Sequence, residues 1–287
     1  MAAEVHRVAD RGVRAITWSE NPEKLGVPSF HNEHWDPFWR ACDERQMVIC
    51  LHIGSSSAVK LPSIEAPFMT MMNLQPTAVM DTAADLLWSR VIREFPSIRF
   101  ALSEGSIGWI PYLLERADYI YENHNIWTGT DLGDQLPSEI FREHFLACFI
   151  EDAAGLRLLD LIGSDIVCLE TDYPHSDSTW PHSPERLVKT LGDLDRATVD
   201  AITHGNAIRH FGFDPFAHIP RAEATVGALR ARATHVDVGP AEPRPGVFRP
   251  PARPLTLLDM LTKADHPLLD DQAAAEGVDT EATEEPA

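Results

Sequence analysis

The stretch IVCLETDYPHSDSTWPHS, residues 166–183, carries most of the information about the fold and the site. Its four apolar residues, 166–169, do not alternate with polar ones, which is typical of a strand buried on both faces of a parallel sheet. Asp172, His175 and Trp180 follow at once, and Pro174 and Pro181 stiffen the turn. A plain solvent loop needs none of these groups. The pattern therefore predicts a functional site where a buried strand ends.

Two earlier apolar segments end in the same way. VICLH ends in His52, and IRFALSE ends in Glu104. Segments with helical spacing separate these runs, so the chain predicts repeated strand–helix units and a parallel sheet covered by helices. In parallel α/β barrels the active site gathers at the carboxyl ends of the strands. We therefore expect His52, Glu104 and Asp172 to lie at one edge of the sheet.

The periodicity predicts about five strands and eight principal helices in the body of the chain. The predicted strands are residues 13–18, 47–51, 98–102, 145–150 and 166–169. The predicted helices are residues 2–11, 36–45, 77–95, 109–121, 139–144, 153–162, 185–191 and 197–211. The sequence shows no internal repeat.

Composition narrows the class of protein. The formal net charge of −20 over 287 residues argues against a surface for nucleic acid or for an anionic membrane, since both require basic patches. No apolar run approaches the roughly 20 residues of a membrane span. The four cysteines form no CxxC pair, and three lie in apolar runs, which is typical of reduced core thiols. These features predict a cytoplasmic protein.

Each residue at a strand end has a catalytic and a structural interpretation. His52, Glu104 and Asp172 are suitable ligands for a divalent metal, and the two carboxyl groups suit general acid–base chemistry. Alternatively, His52 is a hydrogen-bonded structural histidine, Glu104 caps the following helix, and Asp172 forms a turn. The recurrence at three strand ends raises the site interpretation to equal weight with the structural one.

Four further side chains are candidates. His175 lies three residues beyond Asp172 and suits a proton shuttle or a hydrogen-bonding partner of that carboxylate, or simply a loop cap. Trp109 and Trp180 would wall a substrate pocket, against the alternative of ordinary packing under loops. Ser55, in HIGSSS, would hold an anionic substrate group, although the segment lacks the spacing of a phosphate loop.

The C-terminal part has a different composition. Six prolines lie between residues 240 and 254, and the end from residue 265 is acidic and rich in alanine. This composition predicts an extended linker and a largely disordered tail, with a short helix at residues 254–263. We therefore divide the chain into a partial barrel domain, residues 1–218, and a tail, residues 219–287.

Four motifs together resemble the amidohydrolase-related (amidohydrolase 2) family, whose best-known members are decarboxylases of the aminocarboxymuconate-semialdehyde type. They are LHIGSSS, LSEGSIGWIPYLLERADYIY, ETDYPHSDSTWP and ITHGNAIRHFGFD, in that order. The similarity is greatest to an actinobacterial branch and covers about residues 2–214. It implies a TIM-barrel-like (β/α)₈ fold, a bound Zn or Mn ion, and a small organic substrate that carries a carboxylate.

Matched position by position, the resemblance implies that His52 is a metal ligand from a middle strand and Asp172 the ligand from the last strand. Where family members carry a catalytic His, this chain has Ser103 and Glu104, so Glu104 is the substitute candidate. The first-strand ligand pair has no counterpart, so the resemblance implies an incomplete barrel of about the last five units, truncated at its N-terminus.

The resulting hypothesis is a metal-dependent hydrolase or carboxy-lyase with a small-molecule substrate and no nucleic-acid or membrane partner. A homodimer is left open. The alternative is a catalytically inactive fragment or scaffold that binds no metal.

Overall fold

A computed structural model describes residues 1–239 and 253–262 of the chain, with side chains as far as Asp259. Its centre is a sheet of five parallel strands in the consecutive order β1-β2-β3-β4-β5. The strands are β1 Ala15–Ser19, β2 Val48–His52, β3 Arg99–Ser103, β4 Phe145–Phe149 and β5 Val167–Leu169. Consecutive parallel order with helical crossovers is that of adjacent units of a (β/α)₈ barrel, which confirms the predicted α/β class.

The helices alternate with the strands. They are α1 Ala2–Ala9, α2 Asp36–Glu44, α3 Phe68–Leu74, α4 Ala78–Trp88, α5 Val91–Glu94, α6 Ile110–Thr128, α7 Pro137–His144, α8 Ala153–Leu156, α9 Leu159–Ile162, α10 Ser183–Leu191, α11 Arg196–Asp200, α12 Asn206–Phe211, α13 Val226–Arg232 and α14 Leu257–Thr262. A π-helical turn, Ala201–Gly205, joins α11 to α12. Among the described residues, no helix has the length and apolarity required to cross a membrane.

The strand register places the predicted site residues at one edge. Ser19 pairs with His52, and His52 pairs with Ser103, the residue before Glu104. Phe149 pairs with Leu169, three residues before Asp172. The carboxyl ends of β1, β2, β3 and β5 therefore share one edge of the sheet, as expected from parallel pairing.

The two faces of the sheet have different packing. One face carries the main core, where Leu51, Phe100 and Phe145 are at most 1% exposed and pack against the surrounding helices. The other face carries a smaller cluster, which includes Ala101, Cys148 and Cys168 and packs against α12. All four cysteines are free thiols, as predicted. Because both faces are covered, the strand sequences read as continuous apolar runs.

The prediction of one long helix over residues 77–95 was wrong. Helix α4 ends at Trp88, and α5 begins at Val91. The buried hydroxyl of Ser89 donates to the Leu86 carbonyl (2.7 Å) and accepts the Val91 N–H (3.2 Å). A serine side chain that takes over backbone hydrogen bonds competes with the helix, and here it ends one.

The chain forms two compact units. The first consists of residues 1–59 and 75–236 and contains the whole sheet. In its described part, the second joins residues 60–74 to residues 237–239 and 253–262, and Phe68 donates its backbone N–H to the Leu255 carbonyl (2.6 Å). Most of the tail predicted from residue 219 lies outside the described residues. The boundary at residue 218 and the homodimer stay predictions.

Candidate active site

The three predicted strand-end residues come together. His52 is the last residue of β2, Glu104 directly follows β3, and Asp172 lies on the loop after β5. His52 Nε2 is 2.7 Å from Glu104 Oε1. Asp172 is close enough to Glu104 for a hydrogen bond between the two carboxyl groups to affect the pKa of Glu104. The edge of the sheet therefore holds one imidazole beside two carboxyl groups.

The ring of His52 is oriented by the backbone. Its Nδ1 lies 2.6 Å from the Ile53 carbonyl oxygen, so Nδ1 carries a proton and donates it. Nε2 then faces Glu104 and shares a proton with it. Burial alone lowers the pKa of His52, but the Ile53 carbonyl and the negative charge of Glu104 outweigh that effect and raise it above the usual value.

Both acidic residues sit on unusual backbone. Glu104 has φ 58° and Asp172 has φ 52°, which is the left-handed region that residues other than glycine rarely adopt. The Glu104 N–H donates to Glu170 Oε2 (2.8 Å), and this bond helps to hold the turn. Strained backbone of this kind costs on the order of 1–3 kcal/mol and is concentrated at functional sites. Its occurrence at both predicted acids supports the site interpretation.

The environment of Glu104 favours its protonated form. Burial raises the pKa of Glu104, and the neighbouring Asp172 raises it further, although His52 acts in the opposite direction. Burial also raises the pKa of Glu170, which lies on the same edge. Two acids that share a site cannot both ionise at their usual pH unless a cation is present. Glu104 and Glu170 at this edge therefore either keep a proton at a higher pH than usual or are balanced by a cation.

One oxygen of Asp172 lacks a donor. The side chain is 13% exposed, and among the described residues Oδ2 is buried without a hydrogen bond of acceptable geometry. His175 Nδ1 does lie 2.8 Å from Oδ2, but the ring is not aligned to donate, so the contact is one of charge alone when the imidazole is protonated. A buried carboxylate oxygen without a partner is costly. It marks a position that a cation would stabilise.

His52, Glu104 and Asp172 are chemically suitable metal ligands, but their positions in the structure do not form a metal site. One imidazole nitrogen and two carboxylates are ligands that zinc and manganese accept. Within residues 1–239 and 253–262, however, no group of three or more His, Cys, Asp or Glu side chains is placed so that it could hold one ion together. His52 and Glu104 instead face each other. A metal would therefore have to separate this pair.

A cavity of about 260 Å³ opens beside Glu104. It is lined by Ile53, Pro76, Glu104, Ser106, Ile150, Glu151 and Asp177. Glu104, Glu151 and Asp177 make its polar side acidic. The volume is enough for a small organic molecule but not for a large one.

The other predicted residues have partners of their own. The Trp109 indole N–H donates to the Gly105 carbonyl (2.8 Å), and the ring packs edge-on against Phe141. Trp180 lies 5.0 Å from the Tyr173 ring and is 43% exposed. Neither tryptophan lines the cavity beside Glu104. Their substrate contacts therefore stay predictions.

The Ser55 hydroxyl donates to the His52 carbonyl (2.7 Å) and accepts the N–H of Glu20 (2.8 Å). It thus lies in a network that holds the loop after β2, and an anion-binding role for it stays a prediction. Sequence reasoning missed Glu20. Its side chain is 1% exposed, and Oε1 accepts the Gly54 N–H (3.0 Å) and the Ser56 hydroxyl (2.7 Å).

The signal for Glu20 was present but weak. It directly follows β1, as Glu104 follows β3, so the rule that singles out strand ends applies to it as well. What the sequence does not show is that the loop of β2 folds over this carboxylate and buries it.

Comparisons with known proteins identify the family and the fold. The family model described as "Amidohydrolase" matches residues 1–213. Among solved structures, the chain is similar to 5-carboxyvanillate decarboxylase from Sphingomonas paucimobilis, with 21% identity, a TM-score of 0.61, and coverage of 74% of this chain and 63% of that one. It is also similar to an amidohydrolase from Mycobacterium avium subsp. paratuberculosis, with 19% identity, a TM-score of 0.58, and coverage of 74% and 54%.

A third similar structure is the D314N mutant of a 5-carboxyvanillate decarboxylase from Novosphingobium aromaticivorans, crystallised with manganese and 3-methoxy-4-hydroxy-5-nitrobenzoic acid. It has 18% identity, a TM-score of 0.56, and coverage of 74% of this chain and 61% of that one. The chain thus spans 54–63% of the length of these three proteins. At these identities the structural likeness shows the fold. The family match covers residues 1–213, which is most of the chain. The chain therefore belongs to the amidohydrolase family.

Proposed function

We propose that this chain carries the catalytic residues of a metal-dependent carboxy-lyase that acts on a small organic carboxylate. The observation that carries the proposal is the buried Asp172 Oδ2, which lacks a donor beside the protonatable Glu104. Two of the similar structures are decarboxylases, one of them with bound manganese, and this supports the assignment. Hydrolysis is the second candidate, favoured by the description of the family model.

His52 Nε2 and the free oxygen of Asp172 would hold the metal, either zinc or manganese. When bound, a divalent ion supplies positive charge that polarises substrate oxygens and stabilises developing negative charge. A cation would also offset the remaining negative charge of the cavity. Arg186 pairs with Glu151 (2.8 Å) and Glu104 is assigned a proton below, so Asp177 is the carboxylate that would repel an anionic substrate.

Glu104 is assigned the proton transfer rather than a ligand role. Burial and the neighbouring Asp172 raise its pKa, so it keeps a proton closer to neutrality than an ordinary glutamate does. In decarboxylation, the bond between the substrate carbon and its carboxylate breaks, and carbon dioxide leaves. The electron pair stays on that carbon, which takes the proton from Glu104. Solvent then returns a proton to Glu104.

His175 positions Asp172. Its ring is 60% exposed, its backbone N–H donates to the Asp172 carbonyl (2.7 Å), and Nδ1 lies beside Oδ2. The backbone bond closes the turn that carries Asp172, so His175 is assigned a positioning role.

The test is metal content and turnover of the full chain. After incubation with Mn²⁺ or Zn²⁺ and gel filtration, we expect the wild type to retain metal. We expect it to release carbon dioxide from members of a panel of hydroxybenzoates. Asp172→Asn should lose at least tenfold in both metal retention and rate, whereas Asp160→Asn, an exposed aspartate on α9, should lose neither. Release of a hydrolysis product instead would favour the second candidate. A wild type that retains no metal would leave the non-metal scaffold as the correct interpretation.

A further inference from the structure

A second cavity lies at the opposite edge of the sheet, where the strands begin. It has a volume of about 350 Å³. Arg14 stands directly before β1, and Arg99 is the first residue of β3. Arg45 follows α2, and Arg209 lies on α12. All four arginines line this cavity, which we call the arginine cavity.

The charge of the arginine cavity is one-sided. Its ionisable lining residues are the four arginines and His210, with no carboxylate among them. Each guanidinium keeps its charge at every physiological pH. In the whole chain, by contrast, 44 Asp and Glu residues outnumber 24 Lys and Arg residues. The concentration of positive charge is therefore a specific feature of this edge.

Most of this charge has no counter-ion in the part of the chain that the structure describes. Arg45 pairs with Asp10 (2.8 Å). Within residues 1–239 and 253–262, no carboxylate lies within 4.0 Å of the guanidinium groups of Arg14, Arg99 or Arg209. Arg99 and Arg209 donate to backbone carbonyls instead, those of Ile98 (3.2 Å) and Asp165 (2.5 Å).

The pKa of His210 reflects the positive charge of the arginine cavity. Burial lowers its pKa, and the positive charges of Arg209 and Arg99 lower it further, although Asp165 acts in the opposite direction. The cavity thus disfavours an added positive charge. By the same physics it favours an added negative one.

We propose that the arginine cavity binds a compact anion with two or more negative charges, carried by phosphate groups or by several carboxylates. Arginine forks bind both kinds of oxyanion in bidentate geometry. The volume argues against a monatomic ion, since a space of this size would hold about ten waters at roughly 30 Å³ each. The site is at the opposite edge of the sheet from Glu104 and does not depend on the proposed reaction.

The first experiment is titration calorimetry of the full chain at low ionic strength with pyrophosphate, citrate and acetate. We expect saturable binding of pyrophosphate or citrate with one equivalent per chain, weakened by added salt, and no saturable binding of acetate. The tighter of the two probes identifies the phosphate or the polycarboxylate class. Absence of saturable binding by both would overturn the proposal.

The second experiment localises the site. Arg14→Gln and Arg99→Gln should each weaken binding at least tenfold. Arg196→Gln, the control, removes a 91% exposed arginine from α11 that pairs with Asp200 outside the cavity. Arg14 is exposed and precedes the strand, so its variant should fold even if Arg99→Gln does not. Wild-type affinity in a folded Arg14→Gln protein would overturn the assignment of the site to this cavity. Equal loss in Arg14→Gln and in the control would show that net charge alone is responsible, which would also overturn it.

Discussion

Glu20 offers a direct test of how the site is supported. Its carboxylate is buried between β1 and the loop after β2, where Oε1 accepts hydrogen bonds from Gly54 and Ser56. Its backbone carbonyl also accepts the Thr82 hydroxyl of α4 (2.8 Å). The residue thus joins the first strand, the His52 loop and a covering helix. We predict that replacing it will destabilise the whole unit.

The magnitude follows from the bonds that are lost. Glu20→Ala removes two hydrogen bonds worth about 1 kcal/mol each and leaves the buried Ser56 hydroxyl without its acceptor, at about 1 kcal/mol or more. Removal of the unpaired Oε2 offsets part of this cost. We expect a net loss of about 2 kcal/mol in the free energy of unfolding. Glu20→Gln keeps an acceptor oxygen in place and should stay within about 1 kcal/mol of the wild type.

Urea denaturation followed by circular dichroism measures both variants. The midpoint should shift while the slope stays constant, which would indicate a change in stability alone. Glu122→Ala, an exposed position on α6, is the matched control and should change stability by less than about 0.5 kcal/mol. A loss below about 1 kcal/mol for Glu20→Ala, or equal losses for the Ala and Gln variants, would refute this account of the network.

Two further predictions concern packing and pH. In Gly105→Ala the added Cβ would lie 2.3 Å from Val79 Cγ2, so we expect a loss of about 1–3 kcal/mol by urea denaturation. Gly227→Ala, with nothing within 4 Å and a helical backbone, should instead gain about 0.5–1 kcal/mol. Burial lowers the pKa of His144 in the folded protein below the value of about 6.5 that it has in the unfolded chain. The neutral His144 side chain therefore contributes its full stabilisation above about pH 6.5, and this stabilisation is lost as the pH falls toward the pKa of the folded state. The difference in unfolding free energy between the wild type and His144→Gln should therefore shrink from pH 8 to pH 5. The control, His235→Gln at an exposed position, should show no such trend. A difference for His144→Gln that does not change with pH would contradict this account.

The strands were predictable because of how a parallel sheet is buried. Each strand is covered on both faces, so its sequence is a short apolar run that stands out between helical segments. All five predicted runs overlap observed strands, with ends that differ by at most two residues. The break at Ser89 was not predictable. The apolar spacing continues across it, and only the bonds that its hydroxyl makes in the folded chain show that the helix ends there.

The sequence predicted at which edge of the sheet the site lies, but not the backbone conformation of its acidic residues or the burial of Glu20. Parallel register forces His52, Glu104 and Asp172 to one edge once the strands are correct. The left-handed backbone at Glu104 and Asp172 has no sequence signal, since neither is a glycine. The burial of Glu20 likewise depends on a loop that begins more than thirty residues later along the chain.

The two edges of the sheet carry opposite charges, and their distance decides whether they act on each other. Carboxyl groups gather where β3 and β5 end, and arginines gather where β1 and β3 begin. The five residues of β3 separate Arg99 from Glu104 by about 17 Å at roughly 3.3 Å per residue. The path between them is the buried strand, where an effective dielectric constant of about 20 gives an interaction of about 1 kcal/mol between two unit charges at that distance. Salt screens the part of this interaction that passes through solvent. Occupation of one edge therefore shifts the pKa of a group at the other by less than about one unit through charge alone. A larger coupling between an anion in the arginine cavity and the chemistry at Glu104 would require a change in the strands themselves.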